Sequence, residues 1–180
     1  VVAGLRAAAC FAELFADDAE AAEFRHIADR FADSMLRHLY SERLGRFVRS
    51  IPFNGNEPGE PDETVDASLF AVFYFGVFDA ARPEVAGTMQ AVADKLRSAG
   101  GISRFENDGY MRPGGAELGN PWFICTLWLA EYHIAIANSR AELAAAGELI
   151  QWTLDRSLPS GVMAEQIDSV SGEPASVSPL

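Results

Sequence analysis

Lysine is nearly missing from this chain: Lys95 is the single one among 14 basic residues, against 26 aspartates and glutamates. The formal net charge is -12 and the isoelectric point lies near 4.6. Binding to phosphate backbones needs clustered Lys and Arg, so this balance excludes nucleic acid as a partner. A lysine-poor, alanine-rich, acidic chain also suits a halophilic or high-GC source, although a solvated acidic surface explains it more simply. Cysteine is scarce too. Cys10 and Cys125 sit in apolar runs of helical character, which excludes a disulfide framework and reads as two buried free thiols. No Cys-x-x-Cys occurs, and His26, His38 and His133 form no i,i+4 ligand pair, so neither a metal site nor a cofactor is expected. No apolar run reaches the roughly 18 residues a membrane helix needs. No N-terminal targeting segment is visible, which leaves localisation open with the cytoplasm favoured.

What is present suits a folded globular domain. Hydrophobic residues make up 49% and charged residues 22% of 180 residues, enough for one domain with a sizeable core, residues 1–180. The pattern is nearly all helix, and it repeats. A first helix is predicted over 1–15 and a second over 18–40, behind an acidic start that favours a helix N-terminus. A loop over 41–65 follows, broken by Asn54, Gly55, Asn56 and by Pro52, Pro58 and Pro61, with a strand-like piece near Arg46 to Ile51. A third helix starts at the Asp66 cap and reaches about Ala80. A fourth begins near Pro83 and stops before Gly100 and Gly101. After a second loop, a fifth is predicted from an Asn120 cap with Pro121 behind it. A sixth starts at Ser139 with Glu142 three residues on, a capping-box pattern, and ends near Arg156.

Helix, short turn, helix, long loop: the order occurs three times. Helix three, rich in Phe, and helix five (Trp122, Phe123, Ile124, Leu127, Trp128, Leu129) are apolar on nearly every side, and such helices must be covered all round. Helices two, four and six are amphipathic. Inner helices wrapped by outer ones give an all-α toroid or a superhelical stack. Because each turn within a pair is short, the three long loops fall at one end, where binding and catalysis concentrate. Three hairpins are half of a six-hairpin ring. The chain also starts without Met, so a fragment is expected, and exposed inner helices should make the isolated chain dimerise or aggregate.

Several motifs resemble one enzyme family. The run from Gly119 to Glu131 (GNPWFICTLWLAE), the segment from Gly161 to Asp168 (GVMAEQID), Ser171 to Pro174, Ser176 to Pro179, and Arg104 to Tyr110 (RFENDGY) resemble glycoside hydrolase family 15, the glucoamylase family. Asp62 to Leu69 and Gly45 to Ser50 resemble its bacterial and archaeal members. The resemblance implies an (α/α)6 barrel, of which this chain is the C-terminal half. It implies an inverting, exo-acting enzyme that releases glucose from α-glucan ends, with an α-glucan oligosaccharide or polysaccharide as partner. Inversion needs two carboxyl groups roughly 6.5–9.5 Å apart, one protonating the leaving oxygen and one activating water. By resemblance Glu165 is the general base. Arg104, Tyr110, Trp122, Gln166 and Asp108 line or shape the sugar subsites. Arg104 and Asp108 are also spaced for a loop salt bridge, and Trp122 for core packing.

One departure stands out. The family's general acid lies in a Trp-Glu motif just before the helix that opens this chain, and no such motif occurs here. Glu57, Glu60, Glu63 and Glu106 are loop carboxylates that match no acid position. The 180 residues alone are therefore expected to be inactive, with the longer parent as the enzyme. Trehalase or glucodextranase activity within the same family, and a non-catalytic α-hairpin scaffold binding protein or glycan, are the alternatives.

Overall fold

The computed structural model describes residues 1–176. The Val177, Ser178 and Pro179 part of the last quoted motif lies outside them. The described residues form three helical hairpins joined by long, stitched loops. The first hairpin pairs α1 (Val2–Leu14) with α2 (Asp18–Leu39). Asp17 accepts a hydrogen bond from the Glu20 N–H at 3.0 Å, and Asp18 and Glu20 complement the helix dipole. Ala9, Ala12 and Ala21 pack with Phe24 between the two helices, small side chains that let the backbones approach closely.

The 41–65 loop carries two short hairpins. Strands β1 (Tyr40–Ser41) and β2 (Arg46–Phe47) pair antiparallel, as do β3 (Phe53–Asn54) and β4 (Glu57–Pro58). The strand expected over Arg46 to Ile51 is thus only two residues long. Its Phe47 N–H donates to Thr88 Oγ1 at 2.9 Å, which pins the loop to the second hairpin.

That second hairpin begins at the Asp66 cap, whose carboxylate accepts from the Ser68 N–H at 2.9 Å. A 3-10 turn over Ala67–Phe70 runs into α3 (Ala71–Tyr74), and α4 spans Pro83–Lys95. The helix expected to reach Ala80 therefore ends six residues early. Gly76 takes a left-handed φ of 68° and stops it, a conformation for which glycine carries no penalty. Pro83 does hold the first helical position of α4.

Next come β5 (Arg97–Ser98), β6 (Gly101–Ser103) and β7 (Pro121–Trp122), one antiparallel sheet in that order. The last hairpin pairs α5 (Phe123–Ile136) with α6 (Ala144–Leu154). Helix α5 is buried at Phe123, Cys125, Thr126, Leu129, Ala130 and Tyr132, as an inner helix should be. Burial pushes the Cys125 thiol up to about 12, so it is inert as a nucleophile. Cys10, by contrast, is exposed, which corrects the expectation of two buried thiols: the α1 face that bears it has no covering layer among the described residues.

Both remaining tryptophans are structural. Trp128 stacks on Phe70 with ring centroids 4.1 Å apart, and Trp152 donates to the Ala99 carbonyl at 2.8 Å. Gly101 lies flat under the Trp152 ring. A Cβ there would come within 2.7 Å of it, so only glycine lets the β5–β6 hairpin seat on α6.

Candidate active site

The three long loops are sewn edge to edge by backbone hydrogen bonds. Residues 65–67 lie against 104–106: the Ala67 N–H donates to the Arg104 carbonyl at 2.7 Å and Glu106 N–H to the Val65 carbonyl at 3.0 Å. Residues 121–123 lie against 165–167: Ile167 N–H donates to the Pro121 carbonyl at 3.0 Å and Phe123 N–H to the Glu165 carbonyl at 3.2 Å. Trp122 and Gln166 are thereby bridge partners. This pairing explains why α5 starts at Phe123 and not at Asn120: the backbone of Pro121 and Trp122 is spent on a strand. Asn120 is not a helix cap either. Its side chain bridges two loops.

The Arg104 guanidinium stands at the centre. Nε and Nη2 donate to the Asp108 carboxylate at 2.7 and 2.9 Å, a two-pronged ion pair that leaves Nη1 outside it. Its planar face lies 4.4 Å from the Trp122 ring centroid and 5.2 Å from that of Tyr110. Phe105 closes a third side at 5.3 Å. A cation on aromatic faces contributes about 0.5–2 kcal/mol each when partly desolvated.

Asp108 is 1% exposed. Burial works against its charge. The Arg104 hydrogen bonds, the Tyr110 N–H at 3.0 Å, and attraction from Arg104 and Arg112 outweigh that and hold the carboxyl below its ordinary value. Gly119 packs directly on this residue, where a Cβ would meet the Asp108 Cβ at 2.8 Å.

Glu165 is half-buried, and its Oε2 accepts a hydrogen bond from Ser176 Oγ at 2.7 Å. That contact was not foreseen in sequence, though Ser176 opened one of the motifs. Gln166 is fully buried; its Nε2 points at Met111 Sδ, 3.6 Å away. Among the described residues, Gln166 Oε1 and Trp122 Nε1 are buried without a hydrogen-bond partner. Unmatched groups of this kind cost about 1–3 kcal/mol each, and they cluster at functional sites.

The structure thus brings Arg104, Asp108, Tyr110, Trp122 and Gln166 together, with Glu165 on the loop segment whose backbone pairs with residues 121–123. Other loop carboxylates are engaged elsewhere. Glu106 accepts from the Val65 N–H at 2.7 Å and from Lys95 at 3.2 Å, and Glu63 pairs with Arg43. No cluster of metal-ligating side chains occurs among the described residues.

Comparison with known proteins bears on the family and the fold. The model of the glycosyl hydrolases family 15 matches residues 1–156, which ends before the Glu165 loop. An uncharacterized glycosyl hydrolase of Methanocaldococcus jannaschii is 29% identical over 155 residues, covering 80% of this chain and 23% of that protein. A bacterial glucoamylase solved with acarbose superposes with a TM-score of 0.75 at 24% identity, over 97% of this chain and 29% of its own. Saccharomycopsis fibuligera glucoamylase superposes with a TM-score of 0.71 at 14% identity, over 97% of this chain and 50% of its own. The fold is therefore that of the (α/α)6 glucoamylases, and the chain spans about a quarter of the length of the first two.

Proposed function

Because the chain belongs to glycosyl hydrolase family 15, we propose that it is the C-terminal half of the (α/α)6 catalytic domain of an inverting, exo-acting α-glucan hydrolase. In this reading Glu165 is the general base. It takes a proton from the water that attacks the anomeric carbon, while a general acid outside these residues protonates the departing oxygen. Positioned proton transfer of this kind contributes about 10²–10⁴ in rate.

Arg104 carries the rest of the subsite. With its fork fixed on Asp108, it presents Nη1 as a donor to sugar hydroxyls at no further ordering cost. Tyr110, half exposed, offers apolar ring surface to a pyranose face, and Trp122, buried under the Arg104 guanidinium, backs that guanidinium. The acarbose held by the bacterial glucoamylase of like fold supports a glycan as ligand.

One observation carries the reading: the antiparallel pairing of 165–167 with 121–123 joins the Glu165 loop to the Arg104–Trp122 stack. The test uses the longer protein that contains this chain, incubated with maltooligosaccharides and followed by proton NMR. Inversion predicts β-glucose as the first product. Release of α-glucose, or release of internal fragments before glucose, removes the reading.

A further inference from the structure

Asn120 is wholly buried, and both ends of its side-chain amide are used across loops. Its Nδ2 donates to the Met111 carbonyl at 3.0 Å, on the loop that bears Arg104 and Tyr110. Its Oδ1 accepts from the Ser169 N–H at 3.0 Å, on the loop that bears Glu165. We infer that Asn120 is a positioning residue that clasps the sugar-facing loop to the Glu165 loop and so sets the register between the two halves of the site.

Three further features support the clasp. Met111 has a left-handed φ of 51°, a conformation disfavoured for a side-chain-bearing residue, and the Asn120 donor holds its carbonyl. The Met111 side chain then meets Gln166 Nε2 at 3.6 Å, so the held conformation reaches across to the residue beside Glu165. On the other side, the Ser169–Asn120 bond continues the backbone ladder of residues 165–167 by one more rung, with a side chain as acceptor. Asn is the residue type this requires. Asp would keep the acceptor and lose the donor, while Ser or Thr would be too short to span both loops.

The structural part of the clasp stands on the hydrogen bonds alone; its effect on turnover rests on the glycosidase reading above. The test compares Asn120→Asp and Asn120→Ala with the unaltered longer protein, by amide hydrogen exchange and by steady-state kinetics on maltooligosaccharides. In Asn120→Asp the Ser169 bond survives and the Met111 bond is lost. Exchange should quicken over residues 109–112 only, with KM raised about tenfold and kcat held within about threefold. In Asn120→Ala exchange should quicken over both 109–112 and 167–170, with kcat falling about tenfold as well.

Identical exchange in the two variants overturns the clasp. So does a lower melting temperature with no split between KM and kcat. If Asn120→Ala does not fold, the shape-conserving Asn120→Asp decides alone. If the unaltered protein releases no sugar, the glycosidase reading fails, and the exchange comparison still decides whether the two loops are clasped.

Discussion

Helices α1 and α5 are both apolar, and both open a hairpin, yet they live in opposite surroundings. In α5, Leu129 is 1% exposed and four layers of neighbours close around it: α6, α4, β6 and the 3-10 turn at Ala67–Phe70. In α1, Phe11 is 62% and Leu14 78% exposed, and the main partner among the described residues is α2. An apolar cavity of about 660 Å³, lined by Val2, Phe31, Met35, Leu39, Phe47 and Val72, opens where the start of α1 meets α2 and the core. An apolar helical pattern thus marks a helix that needs covering, while the cover itself is a property of neighbours that the pattern does not name. The half-ring reading supplies those neighbours for α1 from the longer protein.

The sharpest way to break this contrast is at Arg104. Arg104→Ala strands the buried Asp108 carboxylate without its partner, a change of about 3–5 kcal/mol when a charge is left uncompensated. Melting temperature should fall by several degrees at neutral pH, and kcat/KM should fall with it. The pH dependence gives the sign. Since the folded protein holds Asp108 below its ordinary value, the pair's stabilisation is complete above about pH 4 and is lost as pH falls further. The gap in melting temperature between Arg104→Ala and the unaltered protein should therefore narrow on acidification. A gap that widens contradicts the role given to the pair.

Truncation on the two helices is the gentler test. Leu129→Ala should cost about 2–5 kcal/mol, because it empties a closed layer. Phe11→Ala in the isolated chain should stay within about 0.5 kcal/mol, since that ring faces solvent. In the longer protein the same Phe11→Ala should cost several-fold more. Equal small effects in both settings would mean that nothing covers α1. Chemical denaturation of each variant gives the numbers.

Much of the fold was legible. The Asp66 cap, Pro83 at the first position of α4 and the inner character of α5 follow from local chemistry that tertiary contacts leave alone, whereas α6 starts at Ala144 and not at the Ser139 capping box expected for it. The misses have separate causes. Asn120 followed by Pro121 is a strong helix-start signal, but the backbone there is claimed by Ile167 and Glu165, some 45 residues on, and no local pattern carries that pairing. The third helix stops at Gly76, a breaker masked by the aromatic run Phe73, Tyr74 and Phe75. Cys10 reads as buried because its neighbours are apolar, and only the missing cover makes it exposed.

The grouping of the candidate residues was legible more than their contacts. Arg104, Asp108, Tyr110, Trp122 and Gln166 do converge, and the Arg104–Asp108 spacing gave their ion pair. The Ser176 bond to Glu165 and the Asn120 bridges were not readable, because each joins loops whose proximity only the fold decides.

The side chain at 165 is the decisive one. In the longer protein, Glu165→Gln keeps the shape and removes the proton acceptor, so kcat for glucose release should fall by about 10²–10⁴ while the melting temperature stays within a degree or two. Turnover that survives this change at near its original rate would mean that another group activates the water, and the arrangement around Arg104 and Trp122 would then belong to something other than this base.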